Sequence, residues 1–198
     1  MKNIKKLALP ILIILAAVLI RLFPHPANFT PIAAMVLFGG AYLSRKYSIV
    51  IVLLSLMLSD YLLLYIHPFA GQFINTSRIY SPLSLIHAST ILVYGSFFVI
   101  ALVGMWLSSH KSAKNIITAS LFSSILFFIV TNFNFFYPVS LYPKTLNGMF
   151  ESYLMALPFF KNTLTGDLFY TTVFFGSFEA VMTFSKQTLY GYLHPQRG

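Results

Sequence analysis

The 198-residue chain has no cysteine and only four acidic residues, Asp60, Glu151, Asp167 and Glu179. Without cysteine there is no disulfide, no thiolate nucleophile and no thiolate metal ligand. Charge of either sign is scarce, since 9% of residues are Asp, Glu, Lys or Arg, against roughly 25% in a soluble domain. So little polar surface cannot cover a small protein in water, because small domains leave much of their area outside. The five histidines show no metal spacing such as H-E-x-x-H, no Gly-rich phosphate loop or ATPase motif occurs, and no serine sits in a nucleophile elbow. No metal, cofactor or catalytic residue is therefore called for, and the chain reads as a non-enzyme.

What is present is apolar: 58% of residues are hydrophobic and 17% aromatic. The apolar residues fall into six segments, about 7–23, 31–43, 47–67, 88–107, 115–137 and 164–185. A helix needs about 20 residues to cross roughly 30 Å of hydrocarbon. The pattern predicts an all-α integral membrane bundle of about six transmembrane helices forming one domain over residues 1–198. Residues 1–20 imitate a secretory signal, but no small-residue cleavage site follows, so they are expected to remain as the first span. Segment 31–43 is short. Either it starts earlier, near Asn28, or it runs beside a thinned bilayer, or it is a broken helix whose irregular backbone faces protein or water.

The net charge of +9 lies in short breaks between apolar runs, so it reads as a topology signal rather than a nucleic-acid surface. With both termini inside, nine cations lie on the inner side: Lys2, Lys5, Lys6, Arg45, Lys46, Lys111, Lys114, Lys186 and Arg197. The outer side then holds four, Arg21, Arg78, Lys144 and Lys161. The bias places both termini on the cytoplasmic side and the long connections 68–87 and 138–163 outside as ordered caps; the membrane expected is a bacterial cytoplasmic (inner) membrane, crossed several times. Within the second cap, residues 145–160 suit an interfacial helix that Pro158 would end or kink.

Ionisable groups at membrane depth are candidates for function. Asp60 suits either a structural ion pair or a ligand, with Arg21, Arg78 and His25 as partners at its level. Asp167 opens the last segment, where a carboxylate suits either a helix N-terminus or a ligand. Glu179, in the inner half, suits a structural or inter-subunit role. The turn His25-Pro26-Ala27-Asn28-Phe29-Thr30-Pro31 is stiffened by prolines. In it, Asn28 or Thr30 either caps the second helix or meets a ligand. Asn132 and Asn134 are amides in an aromatic run and must face inward, toward other helices or a ligand. Residues 133–142 offer aromatic rings for a stacking wall. The candidate substrate-binding set is His25, Asn28, Asp60, Arg78, Asn132, Asn134, Lys144 and Asp167, with no metal ligands.

The run Arg21 to Pro31, then Ala33-Ala34, Phe38-Gly39-Gly40-Ala41, Ser59-Asp60 and Thr131-Asn132-Phe133, resembles a family of uncharacterised bacterial membrane proteins, a domain of unknown function. Tyr142-Pro143-Lys144-Thr145, Ala156 to Phe160 and Gly166-Asp167 extend the resemblance over almost the whole chain. In size and span count the chain also looks like the S-components of energy-coupling-factor (ECF) vitamin transporters. That likeness implies a substrate-binding uptake component for a small organic solute, a vitamin or a precursor. Its partners would be the lipid bilayer, the solute, and an ECF coupling module or a second copy of the chain. S-components dock through small residues on their first helix. Here such residues gather instead at Ala33, Ala34, Gly39, Gly40 and Ala41, and over residues 176–180. The rival expectations are a non-catalytic cell-envelope scaffold and a membrane enzyme acting on a lipid or isoprenoid.

Topology yields the first test, because single cysteines can be placed in a cysteine-free background. A thiol replacing Ser77 should react with impermeant maleimide added outside intact cells, and one replacing Lys111 should react only after permeabilisation.

Overall fold

The computed structural model describes residues 2–63, 90–137 and 140–193. They form six α-helices: α1 (Lys2–Ile20), α2 (Ile32–Tyr42), α3 (Arg45–Leu63), α4 (Thr90–Leu107), α5 (Ala113–Asn132) and α6 (Leu146–Leu193), with a 3-10 turn at Asn134–Phe136. No strand occurs among the described residues. Three helices, α3, α4 and α5, are long and apolar enough to cross a membrane.

The bundle is organised around α2. Every residue from Ile32 to Ala41 is buried, as expected of a helix that is apolar all round, and α2 packs on each of the other five helices. At 1.5 Å per residue its 11 residues extend about 16 Å, roughly half the hydrocarbon thickness. The helix begins at Ile32 rather than near Asn28, which has a left-handed φ of 63°. The irregular backbone before it packs on protein: Asn162 Nδ2 donates to the Ala27 carbonyl at 2.9 Å. At the other end Tyr42 Oη donates to Glu179 Oε1 at 2.5 Å and Lys111 Nζ sits 4.1 Å from the Tyr42 ring centre. Glu179 thus ties α6 to the end of α2.

Large apolar side chains point outward, among them Val50, Leu54 and Met57 of α3, Phe98 and Leu102 of α4, Phe122, Ile125 and Ile129 of α5, and Phe169, Val173 and Phe184 of α6. Small and hydroxyl residues point inward, including Ser96, Ala119, Ser120, Ser123 and Ser124. Ser96 and Ser123 return their hydroxyls to carbonyls one turn back, which keeps these two buried hydroxyls bonded. Small residues set among larger buried ones such as Phe38, Leu56 and Ile100 let helices approach closely, which suits association in lipid, where close packing replaces the hydrophobic drive.

Two expectations about the second half change. Residues 145–160 are not a separate interfacial helix, because α6 continues through Pro158. A proline in a helix interior costs about 3 kcal/mol, and bonds on both sides offset it. Ser152 Oγ donates to Asn132 O at 2.8 Å and Tyr153 Oη to Ile129 O at 2.8 Å before it. Asn162 donates to Ala27 O after it. Burial pushes the Tyr153 phenol above its ordinary pKa, so it remains a donor. The fifth helix stops at Asn132 rather than 137. Tyr137 precedes Pro138 and is held extended, at φ −93° and ψ 131°.

Helices α2 and α4 approach closely at Gly40 and Gly104. A Cβ on Gly40 would stand 2.5 Å from Ala101 O and 2.8 Å from Gly104 Cα, whereas Gly95 and Gly176 have nothing within 4 Å. Backbone atoms cannot step aside. Gly40→Ala or Gly104→Ala should therefore cost about 1–3 kcal/mol, while Gly95→Ala and Gly176→Ala should be neutral or stabilising by up to about 1 kcal/mol. Unfolding of the purified protein in mixed micelles measures the contrast.

Candidate functional site

Three helices meet at the end of α2 where the chain enters it. Arg21, at the end of α1, donates through Nη1 to Ser59 Oγ and to Asp60 Oδ1, and Tyr94 Oη donates to Asp60 Oδ2 at 2.7 Å. Among the described residues, Arg21 pairs with Asp60, with side-chain exposures of 16% for Arg21 and 22% for Asp60; Arg78 lies outside them. Both Asp60 oxygens are thereby occupied, which suits a positioning role better than proton transfer.

The turn before α2 supplies the next groups. Pro31 occupies the N-cap of α2 without any side-chain bond, so the capping role weighed for Asn28 and Thr30 is not the one they play. Neither side chain is used to start the helix. The ring nitrogens of His25 lie 3.0 Å from Pro26 O and 3.3 Å from Arg21 O. The turn can approach α6 because residue 166 is glycine: a Cβ there would stand 3.1 Å from Phe29 Cα. Phe29 then packs on Phe169 and Tyr170, with ring centres 5.8 and 5.5 Å apart.

Asp167 follows Gly166 and lies twenty-one positions beyond Leu146, the first residue of α6. The helix-N-terminus role expected for it fails, since that end is several turns away and its partial charge is local. The carboxylate is 3% exposed. Ser124 Oγ of α5 donates to Oδ2 at 2.6 Å, and no described residue forms an ion pair with it.

These groups surround one cavity of about 260 Å³ that includes His25, Asn28, Asp60 and Asp167 in its lining. Arg21, Thr30 and Thr163 add polar wall, and Leu56, Val93, Phe97 and Phe127 add apolar wall. Phe97 and Phe127 are stacked, with centroids 5.1 Å apart and an interplanar angle of 29°. The other predicted site residues lie elsewhere. Asn132 lines an adjoining crevice of about 100 Å³ that shares Asn28, Phe127 and Thr163 with the cavity, and its Nδ2 donates to Phe128 O at 2.8 Å. Asn134 is buried and donates to Pro143 O at 2.6 Å. Lys144 is exposed and lines neither space, and Arg78 lies outside the described residues. The aromatic run 133–142 does not supply the cavity wall, because Phe133 packs on Phe135 and Phe136 instead.

Sequence reasoning missed Ser59, Tyr94, Phe97, Ser124, Phe127 and Thr163. The hydroxyls carried a usable signal, because polar side chains inside apolar runs need inward partners. Phe97 and Phe127 carried none, being two phenylalanines among 21. No group of three or more His, Asp or Glu among the described residues is placed to hold a metal ion. The arrangement can hold a small molecule between donors, one open carboxylate and an aromatic wall.

Residues 1–189 match a family described as "Family of unknown function (DUF6580)". No curated protein and no solved structure matches the chain.

The Arg21–Asp60 pair makes a direct prediction. Truncating one partner strands the other charge, which costs about 3–5 kcal/mol when buried. At this partly exposed site Arg21→Met or Asp60→Leu should cost about 1–3 kcal/mol each. The double variant should fall short of the sum by about 0.5–3 kcal/mol, measured as a double-mutant cycle in the same micellar unfolding assay.

Proposed function

Taking as premise that the chain belongs to the DUF6580 family, whose function is unknown, we propose that it is a membrane-embedded binding and uptake component for a small organic solute. The observation that carries this reading is the cavity. His25, Asn28, Asp60 and Asp167 come from three sequence-distant stretches and line one space with a stacked aromatic pair. Ligand sites are concave, mostly apolar and furnished with a few fixed polar groups. At about 260 Å³ the space lies just under the usual range of about 300–1,000 Å³, which suits a vitamin precursor or a comparably small solute.

The distribution of Lys and Arg supports an outward-facing mouth, because Arg21 falls on the side that holds four cations against nine. Solute would enter from outside. The chain carries no ATPase motif, so uptake would draw on an ion gradient or on a coupling module of the ECF kind. The docking face for such a partner is not α2, whose small residues are buried. Gly176 and Ala180 of α6 are exposed one turn apart and offer small-residue packing to a coupling subunit or a second copy. An open polar cavity argues against a filled scaffold bundle. An enzyme acting on lipid needs an acid–base pair; Asp60 has both oxygens engaged, which leaves His25 and Asp167 as the titratable groups of the lining to be tested for that role.

A solute held at 100 times its Kd should stabilise the purified protein by about 2.7 kcal/mol. Screening small solutes by thermal unfolding should find such a compound. Asp60→Asn and Phe127→Ala should then weaken it by about 5- to 150-fold, and Lys144→Ala should leave it unchanged. Folded variants of Asp60 and Phe127 that keep full stabilisation would refute the site.

A further inference from the structure

The charges around the cavity do not cancel. Arg21 and Asp60 neutralise one another, and Tyr94 occupies the second oxygen of Asp60 at 2.7 Å. Asp167 remains. Its carboxylate is 3% exposed, its Oδ2 takes one bond from Ser124 at 2.6 Å, and its Oδ1 takes none from the described residues. No cation among the described residues lies within ion-pair distance of it. A carboxyl group withdrawn from water stays protonated unless a counter-charge holds it ionised, and among the described residues Asp167 has one serine hydroxyl and no cation, so a cationic ligand would supply that counter-charge. The same cavity wall carries the rings of Phe97 and Phe127, and aromatic faces attract cations. Thr30 and Thr163 add polar groups to the lining.

An excess carboxylate, aromatic faces and hydroxyls form the chemistry that recognises an organic ammonium ion. We infer that the solute is a small organic cation whose ammonium group pairs with Asp167 against the Phe97–Phe127 wall. This inference rests on the binding reading above and specifies its ligand class.

The test uses the purified full chain in detergent and two pairs of probes, choline with its neutral carbon analogue and benzylamine with benzyl alcohol. Within each pair the shape is nearly constant and the charge changes. At least one ammonium probe should bind about 10- to 150-fold more tightly than its neutral partner, the range for a charge-assisted contact. Asp167→Asn should remove that preference while binding of the neutral probe stays within about twofold. Phe127→Leu, which retains apolar bulk without the aromatic face, should reduce the preference several-fold. Equal binding of charged and neutral probes to wild type overturns the cation inference and leaves solute binding intact. An unchanged preference in a folded Asp167→Asn protein does the same. Failure of all four probes to bind overturns the cation inference, and failure of the wider solute screen as well overturns the binding reading.

Discussion

A helix of 11 residues that is buried along almost its whole length imposes the main constraint on this fold. Being too short to cross the hydrocarbon unaided, α2 must be entered through irregular backbone, and such backbone at membrane depth has to be covered by protein. The turn over residues 21–31 meets that requirement by lying against α6 through Asn162, Phe29 and the gap left at Gly166. Close approach of α4 at Gly104 encloses α2 from another side.

The cavity follows from the same shortness. Ile32 and Ala33, the first residues of α2, form part of its lining, while α3, α4, α5 and α6 supply Asp60, Phe97, Phe127 and Asp167 around them. Where the central helix stops, its neighbours go on, and the space it leaves is furnished by whatever they carry at that level. They carry two carboxylates in unlike settings. Asp60 is held by Arg21 and Tyr94 and braces α1, α3 and α4 together. Asp167 takes one bond from Ser124 and no ion pair from the described residues. Positions 60 and 167 therefore do different work although both are aspartates in apolar helices.

Outside this site exposed large side chains such as Ile91, Phe98 and Leu102 need no specific partner in lipid, and the buried hydroxyls of Ser96 and Ser123 bond to carbonyls of their own helices. Long-range polar contacts among the described residues fall around the cavity, at the Tyr42–Glu179 link on the far end, and between α5 and α6, where Thr171 bonds Ser120 and Ser152 bonds the Asn132 carbonyl.

By itself the sequence determined the solvent, the helical class and the level at which polar groups gather. Scarce charge leaves only lipid to cover the chain, and lipid permits helices whose backbone bonds close internally. The stiff turn at His25 to Pro31, Asp60 and Asp167 were recognisable because each is polar where its neighbours are apolar. Tertiary structure alone decided the rotations and the partners. Lipid and protein interior are both apolar, so hydrophobic periodicity does not say which face of Thr90–Leu107 turns inward, nor that Ile32–Tyr42 turns inward all round. For that reason the choice of Arg21 for Asp60, the burial of α2, the stacking of Phe97 on Phe127 and the continuation of α6 past Pro158 were not legible. Each depends on a contact between segments far apart in the chain. Asp167 shows the division most clearly: its polarity marked it in the sequence, and only the helix running back to Leu146 made it a buried carboxylate on a cavity wall instead of a helix-terminal charge.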